Sequence, residues 1–239
     1  MRNLQSFQNI SGFSNTNAVE AVVTLQSYIK SLSGLVAYYP MDETSGTTAV
    51  NQAPDTLGTL DGTITGATIN QAGQSGTAYS FDNINDLVDC GNNAAFQITT
   101  GTIGAFMKAD AALGVLTNAV VSKENAYSMF VDNLLFKTYS WAGSTGFRSS
   151  AIDVVTDQIW HSVAMSFISG STNNCLLYLD GVLVLTTTIT IQSNAQSLRI
   201  GDSAISDHVW HGLIQHAFVC NAVVPASNIL SIAQLAGIA

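Results

Sequence analysis

Charged side chains are scarce in this chain. Only 10% of its 239 residues are Asp, Glu, Lys or Arg, against roughly 25% in an average globular domain. Cations are the rarer sign, with 7 Lys and Arg against 16 Asp and Glu and a formal net charge of −9. A nucleic-acid groove needs clustered positive charge to neutralise phosphates, so that partner is excluded. Glycoside hydrolysis needs two carboxyl groups held across the scissile bond. The three glutamates, Glu20, Glu43 and Glu124, are too dispersed to form such a pair on one strand. A Gly-x-Ser-x-Gly elbow, a His-Glu-x-x-His pair and a phosphate loop are also missing, so the expectation is a protein that is not an enzyme. The chain has no run of eighteen apolar residues and opens on Met-Arg-Asn-Leu-Gln-Ser-Phe, without the apolar core of a secretory signal. Neither membrane insertion nor signal-directed export is expected. Cys90, Cys175 and Cys220 are too few and too far apart for a metal knuckle. They read as buried thiols, or as a Cys175–Cys220 bridge that leaves Cys90 single.

What is abundant is apolar and neutral-polar. Hydrophobic residues make up 47% of the chain, and Ser, Thr, Asn, Gln and Gly dominate the rest. Disorder combines low hydrophobicity with high net charge, and this is the opposite combination. The length suits one large all-β domain. Residues 1–33 differ in character from the rest of the chain. Asn17 and Glu20 have capping-box spacing, and Ala18, Val22, Leu25, Ile29 and Leu32 form one apolar stripe at intervals of four and three. That predicts an amphipathic helix of roughly sixteen residues. The stripe either docks on the chain's own core or serves as an attachment or oligomerisation arm.

From Gly34 onward, β-prone runs alternate with turn residues at 35–39, 77–81, 87–90, 102–107, 127–131, 134–139, 159–167, 175–179, 182–191, 198–201 and 213–219. Asp132-Asn133 and Asp180-Gly181 supply tight hairpin turns. Residues 44–76 read as a polar stretch, and Pro225 and Ser227 open a short closing helix packed by Ile229, Ile232 and Leu235. Many short strands without long alternating helices predict an antiparallel β-sandwich over residues 34–239. Trp160 reads as core packing. His161 reads as a structural histidine, with no carboxylate partner evident nearby.

Several segments carry a family resemblance. They are Gly-Leu-Val-Ala-Tyr-Tyr-Pro-Met-Asp-Glu-Thr-Ser-Gly at 34–46, Ala-Tyr-Ser-Phe-Asp at 78–82 with Asp-Leu-Val-Asp at 86–89, Ile-Trp-His-Ser-Val-Ala-Met at 159–165, Leu-Tyr-Leu-Asp-Gly-Val at 177–182 and Leu-Arg-Ile-Gly at 198–201. In this order they resemble the laminin-G-like, concanavalin A-like jelly-roll family over roughly residues 34–237. The resemblance implies two stacked, curved antiparallel sheets. It also implies an adhesion, structural or carbohydrate-binding role. Glycosidases on related sandwiches carry a Glu-x-Asp-x-x-Glu strand, which this chain lacks. Family members also resemble one another in a Gly-x-Ile-Asp-Glu segment that completes a calcium site. Here Gly212-Leu-Ile-Gln-His216 stands in its place. Asp42 and Glu43, with Asn51, Asp55 and Asp61, are the remaining oxygen donors for a structural calcium, and no other cofactor is implied.

Three functions fit these readings. The first is a non-catalytic display protein of a larger assembly, such as a virion capsid, decoration or tail component at the virion surface. Its arm would engage identical subunits or a protein scaffold, giving a homo-oligomer. The second is a carbohydrate-binding module using the loops at Asp42, Asn51, His208 and Trp210. The third is an adhesion domain for a protein partner.

Overall fold

A computed structural model describes residues 23–110, 117–143, 145–154, 157–192, 194–204 and 208–239. Among the described residues, sixteen strands, all paired antiparallel, form two eight-stranded sheets. In the first sheet, β14 (Val182–Thr187), β13 (Cys175–Leu179), β12 (His161–Ile168), β7 (Thr100–Ala109) and β16 (His211–Cys220) run side by side. Both β5 (Thr77–Asp82) and β1 (Leu35–Tyr39) pair with β16, and β4 (Thr68–Ala72) pairs with β5. The second sheet orders β11 (Gly146–Asp153), β10 (Leu135–Ser140), β9 (Tyr127–Asp132), β8 (Asn118–Lys123), β15 (Leu198–Ile200), β6 (Leu87–Asp89), β3 (Gly62–Thr65) and β2 (Thr48–Ala49). The expected all-β sandwich is the observed fold.

Alternation along the strands builds the core between the sheets. Val163, Met165 and Phe167 of β12 face inward, as do Tyr127, Met129 and Val131 of β9. Tyr127 stacks on Phe167 across the gap with ring centroids 5.0 Å apart. The Asp180-Gly181 turn forms as predicted, while the other hairpin turns one residue later than predicted, on Asn133 and Leu134. Asp132 pairs with Leu135 around Asn133 and Leu134, and Leu179 pairs with Val182 around Asp180 and Gly181, all four turn residues having positive φ. Positive φ at both central positions matches the strand twist, which favours Asn, Asp and Gly there, and Leu134 takes up the same conformation without that preference. Gly181 has a second reason: a Cβ there would lie 2.8 Å from the Leu230 backbone.

Two helices cover the outer face of the first sheet, α1 (Leu25–Lys30) and α2 (Ala226–Leu235). Leu25, Ile29 and Leu32 join Tyr38, Phe106, Ala164, Tyr178, Phe218, Ile229 and Ile232 in a second apolar cluster there. Helix α1 starts later than the Asn17 spacing predicts, because Thr24 caps it. The Thr24 side chain accepts from the Ser27 amide at 3.2 Å, and the Ser27 hydroxyl accepts from the Thr24 amide at 2.9 Å. Asn17, Ala18, Glu20 and Val22 lie outside the described residues. Leu25, Ile29 and Leu32 are therefore buried against their own sheet, which makes this segment part of the sandwich. In α2, Ile229 and Ile232 pack as expected, but Leu235 is exposed and Ala233 and Ala236 complete the contact. The three cysteines are free, buried thiols, and among the described residues no helix is long and apolar enough to cross a membrane.

Candidate carbohydrate site

The helices leave the outer face of the second sheet as the place to look for a ligand. Because Met129, Val131 and Phe136 point into the core, Ser128, Phe130 and Asp132 of β9 and Lys137 and Tyr139 of β10 point outward. Tyr139 pairs with Phe147 of β11, bringing a third ring to that face. Trp141 follows directly after β10. The result is a pocket of about 250 Å³ lined by Thr117, Glu124, Phe130, Tyr139, Trp141, Phe147 and His208.

Edge-to-face packing holds its rings. Tyr139 meets Phe147 at 5.0 Å and 84°, Phe130 meets Phe147 at 5.9 Å and 89°, and Phe130 meets His208 at 5.6 Å and 83°. Such pairs fix ring orientation beyond simple area burial. The Trp141 indole donates to Glu124 Oε1 at 3.1 Å. Glu124 Oε2 is buried and has no hydrogen-bond partner among the described residues. The pocket floor is braced by Lys137, whose ammonium contacts Asp132 at 2.5 Å and lies 5.4 Å from the Phe147 centroid. Burial alone would raise the Asp132 pKa, but hydrogen bonds from Lys137, Thr117 and Asn133 and the Lys137 charge hold it below the usual carboxylate range. Partly exposed aromatic faces beside a hydrogen-bond acceptor can bind the apolar face of a sugar ring and one of its hydroxyls.

Of the four residues proposed from the sequence, only His208 reaches this pocket. Trp210 is fully buried in the core between the sheets, one residue before β16, with its amide bonded to the Gly201 carbonyl at 2.7 Å. It cannot present a ring to solvent, so the lining indole is Trp141, not Trp210. Asn51 is also fully buried. Its Oδ1 accepts from the amides of Tyr38 and Ala53, and its Nδ2 donates to Thr56 and to the Thr59 carbonyl. Asn51 is the keystone of a loop and not a ligand group. Asp42 is exposed, where it accepts from Gln26 Nε2 at 3.1 Å and Gln52 Nε2 at 3.3 Å and so ties α1 to the following loop. Glu124, Phe130, Tyr139, Trp141 and Phe147 were not singled out by sequence reasoning. Their signal was aromatic residues at both alternating phases of one hairpin, which places some rings outward.

The oxygen donors suggested for calcium do not form a cage. Glu43 accepts from the Val50 amide at 2.7 Å and from the Tyr79 hydroxyl, and Asp61 accepts from the Asn51 amide at 2.9 Å. Gln215 Oε1 accepts from the Gln74 amide at 2.8 Å. His216 Nδ1 contacts the Tyr38 hydroxyl at 2.7 Å, and burial pushes its pKa down to about 4. Neutral groups held by protein donors leave little for a hard cation, and among the described residues no group of three His, Cys, Asp or Glu is placed to hold a metal. His161 differs from expectation. Its Nδ1 lies 2.8 Å from Asp180 and its Nε2 3.1 Å from Asp157. Burial favours the neutral ring, but the two carboxylates outweigh it and raise the pKa.

Similar folds occur in proteins of known structure. Domain 4 of AbnA, a GH43 extracellular arabinanase from Geobacillus stearothermophilus solved with arabinotriose, aligns with a TM-score of 0.63 at 16% identity, over 85% of this chain and all of that domain. The binding domain of Paraclostridial Mosquitocidal Protein 1 aligns with a TM-score of 0.64 at 9% identity, over 86% of this chain and 52% of that one. Trypanosoma rangeli sialidase in complex with sialic acid gives 0.62 at 12% identity, over 84% of this chain but 32% of the enzyme. The chain thus spans about half of that binding domain and a third of the sialidase. These identities show a shared fold. No curated protein matches the chain by sequence. The sequence profile of one family matches residues 81–230, well over half of the chain and from β5 into α2, and by that match the chain belongs to the concanavalin A-like lectin/glucanases superfamily.

Proposed function

We propose that this protein is a non-catalytic carbohydrate-binding module whose ligand packs against Trp141, Tyr139 and Phe147 and donates a hydroxyl hydrogen bond to Glu124. The observation that carries the reading is the buried, unpartnered Glu124 Oε2 beside a partly exposed indole. A buried acceptor without a partner costs about 1–3 kcal/mol, which a ligand donor recovers. Support also comes from the arabinanase domain of the same fold, which was solved with arabinotriose. Among the described residues the pocket holds one carboxylate, where glycoside hydrolysis uses two, so binding without turnover is the chemistry these side chains can perform. The display reading at a virion surface rests on the low charge content, the lack of a visible secretion signal, the helix before the sandwich and the family resemblance. Its helical stripe is partly accounted for by the burial of Leu25, Ile29 and Leu32 on the chain's own sheet. The experiment is a glycan-array screen of the wild type and of Trp141→Ala, with circular dichroism to check the fold. Binding that disappears in the variant supports the module. Binding unchanged by the variant, or none by the wild type, overturns it.

A further inference from the structure

Glu124 is the one carboxylate lining the aromatic pocket among the described residues, and no Lys, Arg or His among them forms an ion pair with it. Its Oε1 accepts from the neutral Trp141 indole at 3.1 Å, and its Oε2 is buried without a partner among those residues. The lysines close to it in the fold are committed elsewhere. Lys123, one residue earlier, sends its ammonium to Asn92 Oδ1 at 2.9 Å and to the Asn194 and Gln196 carbonyls. Lys137 is matched by Asp132. A carboxylate held out of water without an opposite charge is unfavourable. A sugar hydroxyl fills the lone pair of Oε2 but leaves that charge unbalanced. A protonated amine supplies both an N–H donor and the missing charge.

The rings around Glu124 suit the same chemistry. Tyr139 and Trp141 lie 5.2 Å apart and are tilted by 53°, Phe130 and Trp141 lie 6.3 Å apart at 57°, and Phe147 stands at 84° to Tyr139. These planes form the angled walls of a recess and not one flat platform. An aromatic face is electrostatically negative, so a compact cation set between such walls is attracted by more than one ring. One ammonium is already held against this cluster, since Lys137 Nζ lies 5.4 Å from the Phe147 centroid. At about 250 Å³ the recess is smaller than the roughly 300–1,000 Å³ of pockets that enclose a drug-sized ligand. That space suits one sugar unit. The formal net charge of −9 also favours the approach of a cation over that of an anion.

Resting on the carbohydrate reading above, we propose that the pocket is selective for a cationic amino sugar, whose ammonium sits between Glu124 and the rings of Trp141 and Tyr139. The open acceptor of Glu124 takes one N–H, and the sugar ring packs on the indole. The probes are the trimer of glucosamine, in a buffer acidic enough to protonate its amines, and the same trimer N-acetylated and therefore neutral. Both are titrated calorimetrically into the wild type, Glu124→Gln and Trp141→Ala, with thermal unfolding to check each fold. The amine trimer should bind about tenfold more tightly than the acetylated one. Glu124→Gln should close that gap, and Trp141→Ala should abolish binding of both. A second readout needs no variant: tetramethylammonium chloride should displace the amine trimer from the wild type better than sodium chloride at the same concentration. Displacement no better than that by sodium overturns the inference. A preference that survives Glu124→Gln reflects the overall negative charge and also overturns it. Equal or tighter binding of the acetylated trimer overturns it and leaves the carbohydrate reading standing. Binding of neither trimer overturns it as well, and the glycan array then decides the carbohydrate reading by itself.

Discussion

The Trp141 indole donates to one oxygen of Glu124 at 3.1 Å while the other oxygen of that carboxylate is buried with no partner among the described residues. Glu124 is therefore both the brace that orients the indole and an acceptor held ready beside it. Glu124→Gln keeps an oxygen for the indole but turns the second position into an amide donor. Hydrogen bonds to charged groups contribute about 1.5–3 kcal/mol, so we expect saccharide affinity to fall roughly tenfold to a hundredfold. Calorimetric titration checks this, and a matching thermal unfolding curve separates it from misfolding.

Trp210 and Trp141 should behave oppositely on truncation. Trp210 is fully buried in the core, and Trp210→Ala should cost about 3–5 kcal/mol of stability. Trp141 lines an open pocket, and its truncation should remove binding with a much smaller loss of stability. Urea unfolding of both variants tests the contrast. A Trp141 variant as unstable as the Trp210 variant would contradict this division.

The two buried histidines predict opposite pH dependences. The His161 pKa is raised in the folded state by Asp180 and Asp157. Its contribution is complete below the ordinary histidine value of about 6.5 and is lost as pH rises through the folded value. His161→Gln should accordingly lower the Tm most at mildly acidic pH and least at alkaline pH. His216 is pushed down to about 4 by burial, so the unfolded chain takes up a proton that the folded one refuses. Stability tied to His216 should therefore fall between pH 6.5 and 4, by on the order of 3 kcal/mol over the window. His216→Gln should flatten that acid limb, whatever it does to stability at neutral pH. Thermal melts of both variants across pH 4–9 check the two signs.

Asn51 makes five hydrogen bonds through its side chain, all within one loop and the neighbouring β1. Asn51→Ala takes the partner from the Tyr38 and Ala53 amides and from the Thr59 carbonyl, while the Thr56 carbonyl keeps the Thr59 amide and hydroxyl, at about 1–3 kcal/mol for each group left buried. We expect a loss of several kcal/mol in denaturant unfolding, and no direct effect on binding at the aromatic pocket.

The sandwich was legible because its centre repeats one pattern. In His161–Ile168, Val163, Met165 and Phe167 alternate with the small residues Ser162, Ala164 and Ser166, and Asp180-Gly181 offers a turn that few other dipeptides allow. The strands Gly62–Thr65, Thr68–Ala72 and Gly146–Asp153 were missed because they are short or polar and half-exposed, so the alternation in burial falls on Gly, Thr, Asn and Ser side chains with little hydrophobic contrast. Asn118–Lys123 was missed for the opposite reason: all six residues are buried, including Lys123, whose ammonium is held by Asn92. The site was less legible than the fold. Trp210 and Trp141 both stand next to polar residues in sequence, and only the phase of their strands decides which one is buried. Asn51 looked like a loop ligand, but its amide satisfies the loop itself. The His161 carboxylates come from four and nineteen residues away, across a turn and a hairpin that local spacing does not bring together.

The helices α1 and α2 touch one another and lie over the same sheet, so the described chain enters and leaves by one side of the molecule. That side works as a handle. Any tether attached before Val23 or after Ala239 would grip the domain from behind and turn the pocket between Trp141 and Phe147 outward. The same covering that completes the second apolar cluster therefore also sets an orientation.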